Sequence, residues 1–191
     1  MIRCEDWRNA APETLEALYE QERARWIAAL HWDADPSHRI LEHARRNGHA
    51  PGLIAFDDQG QPAGWAYYLL HHRTLQIGGL VAASGEVTRA LLDAILHSPE
   101  ADMAADLLCF AYPASPALES ALARQRFAVT KYLYLTRYLA RENVPLRSLL
   151  TIAHWTEADA VATVKLMARA YAGVRAARCF APRGTLDEWA T

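Results

Sequence analysis

The sequence predicts an α/β domain with a mixed, mostly antiparallel sheet flanked by helices, and three observations predict it. Strand-like and helix-like patterns alternate along residues 1–140 in the order β, α, α, β, β, β, α, β, α, β. Three of those strands follow one another with no helix between them, which demands antiparallel neighbours, while the helices between later strands demand crossovers. The segment after Ser84 places Val87, Ala90, Leu91, Ala94 and Ile95 at spacings of three and four, the mark of a one-sided amphipathic helix.

Each element has its own justification. Ile2 to Trp7 is a short mixed strand. Pro12 opens a helix with Leu15, Leu18, Tyr19, Glu22 and Trp26 at helical spacing. Asp35-Pro36 is an N-cap and first-turn pair for a second helix carrying Ile40, Leu41 and Ala44, and Asn47-Gly48 is its stop. Leu53 to Phe56, the turn Asp57-Asp58-Gln59-Gly60, and Gly64 to Leu70 read as a hairpin. Leu75 to Ala83 is a further strand, and its Gly78-Gly79 marks a bulge or a close backbone approach. Ser84 caps the amphipathic helix. Leu107 to Ala111 is a buried strand, Ser115-Pro116 starts a helix with Leu118, Ala121 and Leu122 inward, and Phe127 to Tyr138 supplies one or two closing strands.

After a linker at 141–148 the pattern restarts. Leu149 to Trp155 resembles the opening strand. Thr156-Glu157-Ala158-Asp159 then begins a helix with Val161, Val164 and Met167 inward, ending near Gly173. Residues 149–191 are thus expected to be the opening strand and helix of an incomplete second copy, in a longer chain or docked on the first domain. A strand exchange through this tail would make a homodimer.

Composition excludes several function classes. The chain has 191 residues, 52% of them hydrophobic, which is incompatible with a disordered segment. No apolar run approaches the roughly 18–20 residues of a membrane helix, and with charges in Met1-Ile2-Arg3-Cys4-Glu5-Asp6, where a secretion signal needs an apolar core, no export signal is expected. A net charge of −2 and a pI near 6.4 provide no basic field for nucleic acid. The three cysteines, Cys4, Cys109 and Cys179, have no zinc spacing and point to a reducing, cytoplasmic setting.

The order of elements, with the junction Leu80-Val81-Ala82-Ala83-Ser84-Gly85-Glu86-Val87-Thr88-Arg89-Ala90-Leu91-Leu92, resembles the GNAT acetyltransferase superfamily over residues 1–140. The restart at Leu149 is similar to the second domain of tandem members. The resemblance implies the acyl-CoA N-acyltransferase fold and acetyl-CoA as co-substrate. It also implies an acceptor that is a small-molecule or peptide amine, acetylated directly without a covalent enzyme intermediate.

It further implies that backbone N–H groups around Leu80, Val81 and Ala82 stabilise the oxyanion. The turn with Gly85, Glu86, Val87 and Thr88 would hold the pyrophosphate at a helix N-terminus. Glu86 and Thr88 stand where the family usually has glycines. A carboxylate about 6 Å from the diphosphate opposes it by roughly 2–3 kcal/mol at an effective dielectric near 20, less if it turns to solvent or pairs with Arg89. The family's acid Tyr and its Asn fall on Leu122 and Ser115, with Tyr112 as a substitute acid. These departures keep a second expectation open: a catalytically degenerate domain with a structural or ligand-sensing role beside a complete one.

In the resembled fold, the loop after the first helix borders the acceptor. Trp32 and Asp33 there are the substrate-binding candidates, beside Trp26, His31 and Asp35. The plain alternative makes Trp26 core and Asp35 a cap. The remaining candidates have plain readings. His38 and His43, five apart, face differently and form no metal pair, and the histidines are expected to be solvated. Cys109 is a small buried hydrophobe. Arg45-Arg46 and Arg124 with Arg126 are helix-end charges that favour the dipole.

Overall fold

Five strands pair in sequential order, β1 (Arg3–Asp6), β2 (Gly52–Phe56), β3 (Pro62–His71), β4 (Thr74–Ala82) and β5 (Asp106–Cys109). The first four are mutually antiparallel, and β5 runs parallel to β4 from Thr74↔Asp106 to Ile77↔Cys109. The sheet is therefore mixed and mostly antiparallel, as the sequence predicts. The computed structural model describes residues 1–71, 73–109, 115–129 and 153–171. Contacts divide the chain into two units, Met1–Arg137 and Tyr138–Thr191.

Local chemistry accounts for the turns. Asp57 Oδ1 accepts from the amides of Gln59 and Gln61 at 2.9 and 2.8 Å, and Gly60 supplies the left-handed position (φ +75°) that closes the β2–β3 hairpin. In β4 the register against β3 jumps from Gly79↔Tyr67 to Ile77↔Tyr68, so Gly78 is the extra residue of a bulge. The Tyr67 ring lies where a Cβ on Gly78 would stand, so the Gly78-Gly79 pair serves both bulge and close approach.

The helices lie on two separate cores. Helix α1 (Pro12–Leu30) packs on Trp7, Ile54 and Trp65 through Leu15 and Leu18. Helix α3 (Gly85–Leu96) packs through Val87, Leu91, Leu92 and Ile95 on Ala55, Ala66, Tyr68, Leu75 and Ile77, joined by Leu118, Ala121 and Leu122 of α5 (Pro116–Arg124). Neighbouring strand residues Ile54 and Ala55, or Trp65 and Ala66, divide between the two clusters, so these cores occupy opposite faces of the sheet. Helix α2 (Asp35–Arg46) follows α1, and a short helix α4 (Pro99–Met103) precedes β5. Gly64 sets the seat of α3: a Cβ there would lie 2.6 Å from the Val81 carbonyl oxygen and 2.8 Å from Val87 Cγ1.

Three expectations are corrected. Asp35 is not the cap of α2; Ala34 holds that position, and the cap's work passes to Asp33, whose Oδ1 accepts from the Asp35 amide at 3.1 Å. Ile40 is 73% exposed, whereas Leu41 and Ala44 pack on the core of Trp7, Ile54 and Trp65 as expected. His38 and Arg45 are buried beside them, so the inner face of α2 mixes apolar and polar side chains. In the second unit, the Thr156–Asp159 capping box forms as expected and opens a 3-10 turn followed by α6 (Ala160–Tyr171). There Val164 is buried, but Val161 is 67% exposed in the first turn of α6.

The closing strands expected from residue 130 onward and most of the restart strand, residues 149–152, lie outside the described residues. Phe127, just before them, packs on the α3–α5 core. Among the described residues no helix is long and apolar enough to cross a membrane.

Gly64→Ala is expected to lower stability by about 1–3 kcal/mol, since the new methyl group must push α3 off the sheet. Urea denaturation of the two proteins, compared at equal slope, checks this.

Candidate functional site

Strand β4 runs directly into α3, and the junction presents backbone donors. Ala83 N–H donates to Ala63 at 2.8 Å, which marks that pair as hydrogen-bonded. Alternation along the antiparallel ladder then turns Val81 toward β3 and turns the peptide groups of Leu80 and Ala82 away from it, to the side where β5 pairs lower down.

Ser84 caps α3. Its Oγ accepts from the Val87 amide at 3.3 Å, and its carbonyl accepts from the Thr88 amide at 3.0 Å and the Thr88 hydroxyl at 2.9 Å. Among the described residues this leaves Gly85 and Glu86 as the amides of the first turn with no acceptor. The junction therefore offers two free N–H groups with the helix dipole behind them. Thr88 and Val87 are buried and point into the core, whereas Glu86 is exposed. Glu86 forms no ion pair with Arg89, so its charge stands open at the same turn.

The positions of the resembled family's acid and Asn are spent on structure. Leu122 is buried in the α3–α5 core, and Ser115 Oγ caps α5 by accepting from the Leu118 amide at 3.1 Å. Tyr112 lies outside the described residues. Cys109 is half-buried on β5, and burial pushes its thiol up to about 11, consistent with an inert side chain.

Trp32 and Asp33 stand together after α1. Trp32 is 48% exposed, edge-on to Trp26 at 5.2 Å between centroids. Asp33 is already engaged: Arg23 Nε donates to it at 2.8 Å, and the bond from Arg23 followed by that from the Asp35 amide holds its carboxyl below the ordinary range.

The polar seam between α1 and α2 is the feature that the sequence reading missed. His38, expected to be solvated, is buried, and its Nε2 donates to Glu22 Oε2 at 2.9 Å. Trp26 Nε1 donates to the other carboxylate oxygen at 3.1 Å. Tyr19 stacks on the His38 ring at 4.7 Å, and both approach Trp65 edge-on. The Tyr19 hydroxyl and Trp65 Nε1 are buried without a hydrogen-bond partner of good geometry. Burial, and after it the charge of Glu42, pushes the Tyr19 phenol well above its ordinary range. A cavity of about 420 Å³ opens between α1 and α2, with Tyr19 and His38 among its walls.

Arg45 stands in the last turn of α2, as expected, but it is buried there. It is 2% exposed and donates to the carbonyls of Trp7 and Ala10 at 2.6 and 3.0 Å and to Glu42 at 2.7 Å. Two signals were present in the sequence: Glu22 falls on the inward stripe of α1, where a carboxylate needs a partner, and Glu42 precedes Arg45 and Arg46 by three and four residues.

No protein-family profile matches the chain, and no curated protein matches it in sequence. Solved structures do match. AAC(6')-Iy, in complex with the bisubstrate analogue CoA-S-monomethyl-acetylneamine, aligns with a TM-score of 0.51 at 14% identity, over 73% of this chain and 99% of that one. The BH1408 protein of Bacillus halodurans, as a tetramutant, aligns at 0.51 and 13% identity, over 72% and 99%. The GNAT-family acetyltransferase SP0256 of Streptococcus pneumoniae aligns at 0.47 and 13% identity, over 72% and 100%. The alignments with AAC(6')-Iy and the BH1408 protein thus show that the first unit carries the GNAT acetyltransferase fold, the fold to which the order of elements points.

Glu42 links the seam to pH. Burial would raise its pKa, but the bonds and charges of Arg45 and Arg46 outweigh burial and hold the carboxyl below its ordinary value. A depressed folded pKa contributes stability that is present above the unfolded value, near 4.3, and is lost as pH falls through the folded one. Glu42→Gln is therefore expected to cost about 2–3 kcal/mol at neutral pH, leaving buried Arg45 without its carboxylate. The gap should close progressively below pH 4; urea titrations of both proteins at neutral and acid pH measure it.

Proposed function

We propose that the chain binds acetyl-CoA across the β4–α3 junction and transfers the acetyl group to an amine carried by a small molecule or peptide. The observation that supports this reading is the juxtaposition at that junction. Two unclaimed amides, Gly85 and Glu86, open a helix directly after a strand whose Leu80 and Ala82 peptide groups turn away from their antiparallel neighbour. The amides at 85 and 86 receive the diphosphate, helped by the dipole of α3. The backbone of Leu80 to Ala82 donates to the developing oxyanion, a role that any side chain permits. Acetyl-CoA supplies the activated acetyl group. The neutral amine nitrogen forms the new N–C bond, the C–S bond breaks, the nitrogen gives up a proton and the departing thiolate accepts one. The CoA analogue bound to AAC(6')-Iy lends this reading support by analogy of fold.

A second reading has its own observation. Ser84 consumes the Val87 amide, and Glu86 sets a negative charge beside the two amides that remain. Leu122 and Ser115 supply no acid. These features suit a domain that has lost catalysis and serves a structural or ligand-sensing role. In either reading residues 149–191 are the opening of a second such domain, supported by the capping box and helix after Thr156, in a cytoplasmic protein.

Calorimetry and thermal unfolding with acetyl-CoA test the proposal. A binder is stabilised by about 2.7 kcal/mol at a hundredfold excess of ligand over its dissociation constant. Stabilisation together with amine-dependent release of free thiol is the expected result; stabilisation without thiol release across a panel of amines selects the second reading. Absence of any response at millimolar acetyl-CoA would sink the transferase. Glu86→Gln is expected to tighten acetyl-CoA about two- to tenfold, with the gain shrinking at high salt, because an exposed carboxylate repels the diphosphate only through screened charge.

A further inference from the structure

We infer that Tyr67 is the acid of the proposed acetyl transfer, giving its phenolic proton to the departing thiolate. The inference rests on the acetyl-transfer reading, which is left without a proton donor where Leu122 and Ser115 are spent on structure. Tyr67 stands on β3 opposite Gly79, and its ring leaves its own strand and lies across β4. A Cβ on Gly78 would strike the hydroxyl oxygen and the ring carbon that bears it, and one on Gly79 would lie 3.1 Å from Cε1. The two glycines therefore make room for this phenol. Trp7 and Trp65 hold the ring in that seat, nearly parallel to it at 6.1 and 6.2 Å between centroids. The described β4–β5 ladder ends at Ile77↔Cys109, one residue before Gly78, and the outward-turned peptide of Leu80 comes two residues after it. The phenol oxygen thus stands between the end of that ladder and the backbone donors of the candidate site.

That oxygen is free to react. Tyr67 is half-buried, and its hydroxyl has no hydrogen-bond partner among the described residues. Burial, and after it the charge of Glu22, raises the phenol above its ordinary pKa, so it keeps its proton at neutral pH. Two residues of strand span about 7 Å. A thioester whose carbonyl accepts from the Leu80 amide, with its sulfur turned back along β4, covers that span with a second hydrogen bond at the sulfur. The amine nitrogen then bonds to the carbonyl carbon, the C–S bond breaks with its electron pair on sulfur, and the phenol proton passes to that sulfur. The new amide nitrogen releases a proton to solvent and the tyrosinate takes one back, which restores the phenol. Tyr67 packs with the α1 face of the sheet, whereas the diphosphate rests at α3 on the other, so the phenol does not obstruct the coenzyme. Cys109, at the same ladder end, packs against the α3 core instead.

Kinetics and equilibrium binding of Tyr67→Phe beside the unaltered full chain test this, with acetyl-CoA and a panel of an aminoglycoside, a polyamine and a lysine-containing peptide. Phenylalanine keeps the ring over Gly78 and Gly79 and removes only the oxygen. Thermal unfolding and the acetyl-CoA dissociation constant are therefore expected to stay unchanged, while kcat for thiol release falls about a hundredfold. An unchanged kcat in Tyr67→Phe overturns the inference and leaves the acetyl-transfer reading standing. A loss of kcat matched by lost stability or by weaker acetyl-CoA binding also overturns it, since the ring then serves structure alone. If the unaltered chain releases no thiol with any amine of the panel, the transfer reading itself fails and the role of Tyr67 fails with it.

Discussion

The seat of α3 on the sheet is the constraint on which the candidate site depends. Gly64 lacks a side chain where one would strike both the Val81 carbonyl and Val87, so the first turn of α3 settles directly against β3 and β4. That close approach fixes where the helix begins relative to the end of β4. The amides of Gly85 and Glu86 therefore open within a few residues of the outward-turned peptides of Leu80 and Ala82. A bulkier residue at 64 would leave every local signal intact, the Ser84 cap included, and still move the donors. Packing places the backbone, and the backbone supplies the donors of the candidate site.

The opposite face follows a different logic. There α1 and α2 meet through charges and rings, with Glu22 against His38, Arg45 against Glu42, and Arg45 reaching the carbonyls of Trp7 and Ala10. Buried polar networks are costly where incomplete and rigid where complete. This one is complete around Arg45 and incomplete at Tyr19 and Trp65, and the incomplete part adjoins the cavity. The two faces divide the labour of the domain: an apolar core carries the helix of the junction, and a polar seam frames a separate space.

Much of the fold was legible in the sequence for local reasons. The Asp57–Gly60 turn, the Ser84 and Ser115 caps and the Thr156–Asp159 capping box each depend on residues a few positions apart. The apolar stripe of α3 was readable because a helix that packs on hydrocarbon repeats every three to four residues. For the candidate site the order of elements points to the stretch 80–88, while which of its amides remain free depends on the Ser84 hydroxyl and the ladder with β3. The burial of His38 and Arg45 and the exposure of Ile40 are not legible, because periodicity assumes that a buried face is wholly apolar. Here the inner face of α2 carries Leu41 and Ala44 together with His38 and Arg45, and its isoleucine points outward.

Sequence alone determined the kinds of element, their order and hence the mixed sheet, since caps, turns and periodic stripes are interactions between near neighbours along the chain. Only the tertiary structure decided which polar groups share an interior. Glu22 meets His38 across 16 positions, and Arg45 meets the Trp7 carbonyl across 38. Such pairings follow from where helices cross and strands register, and no short window of residues contains that geometry.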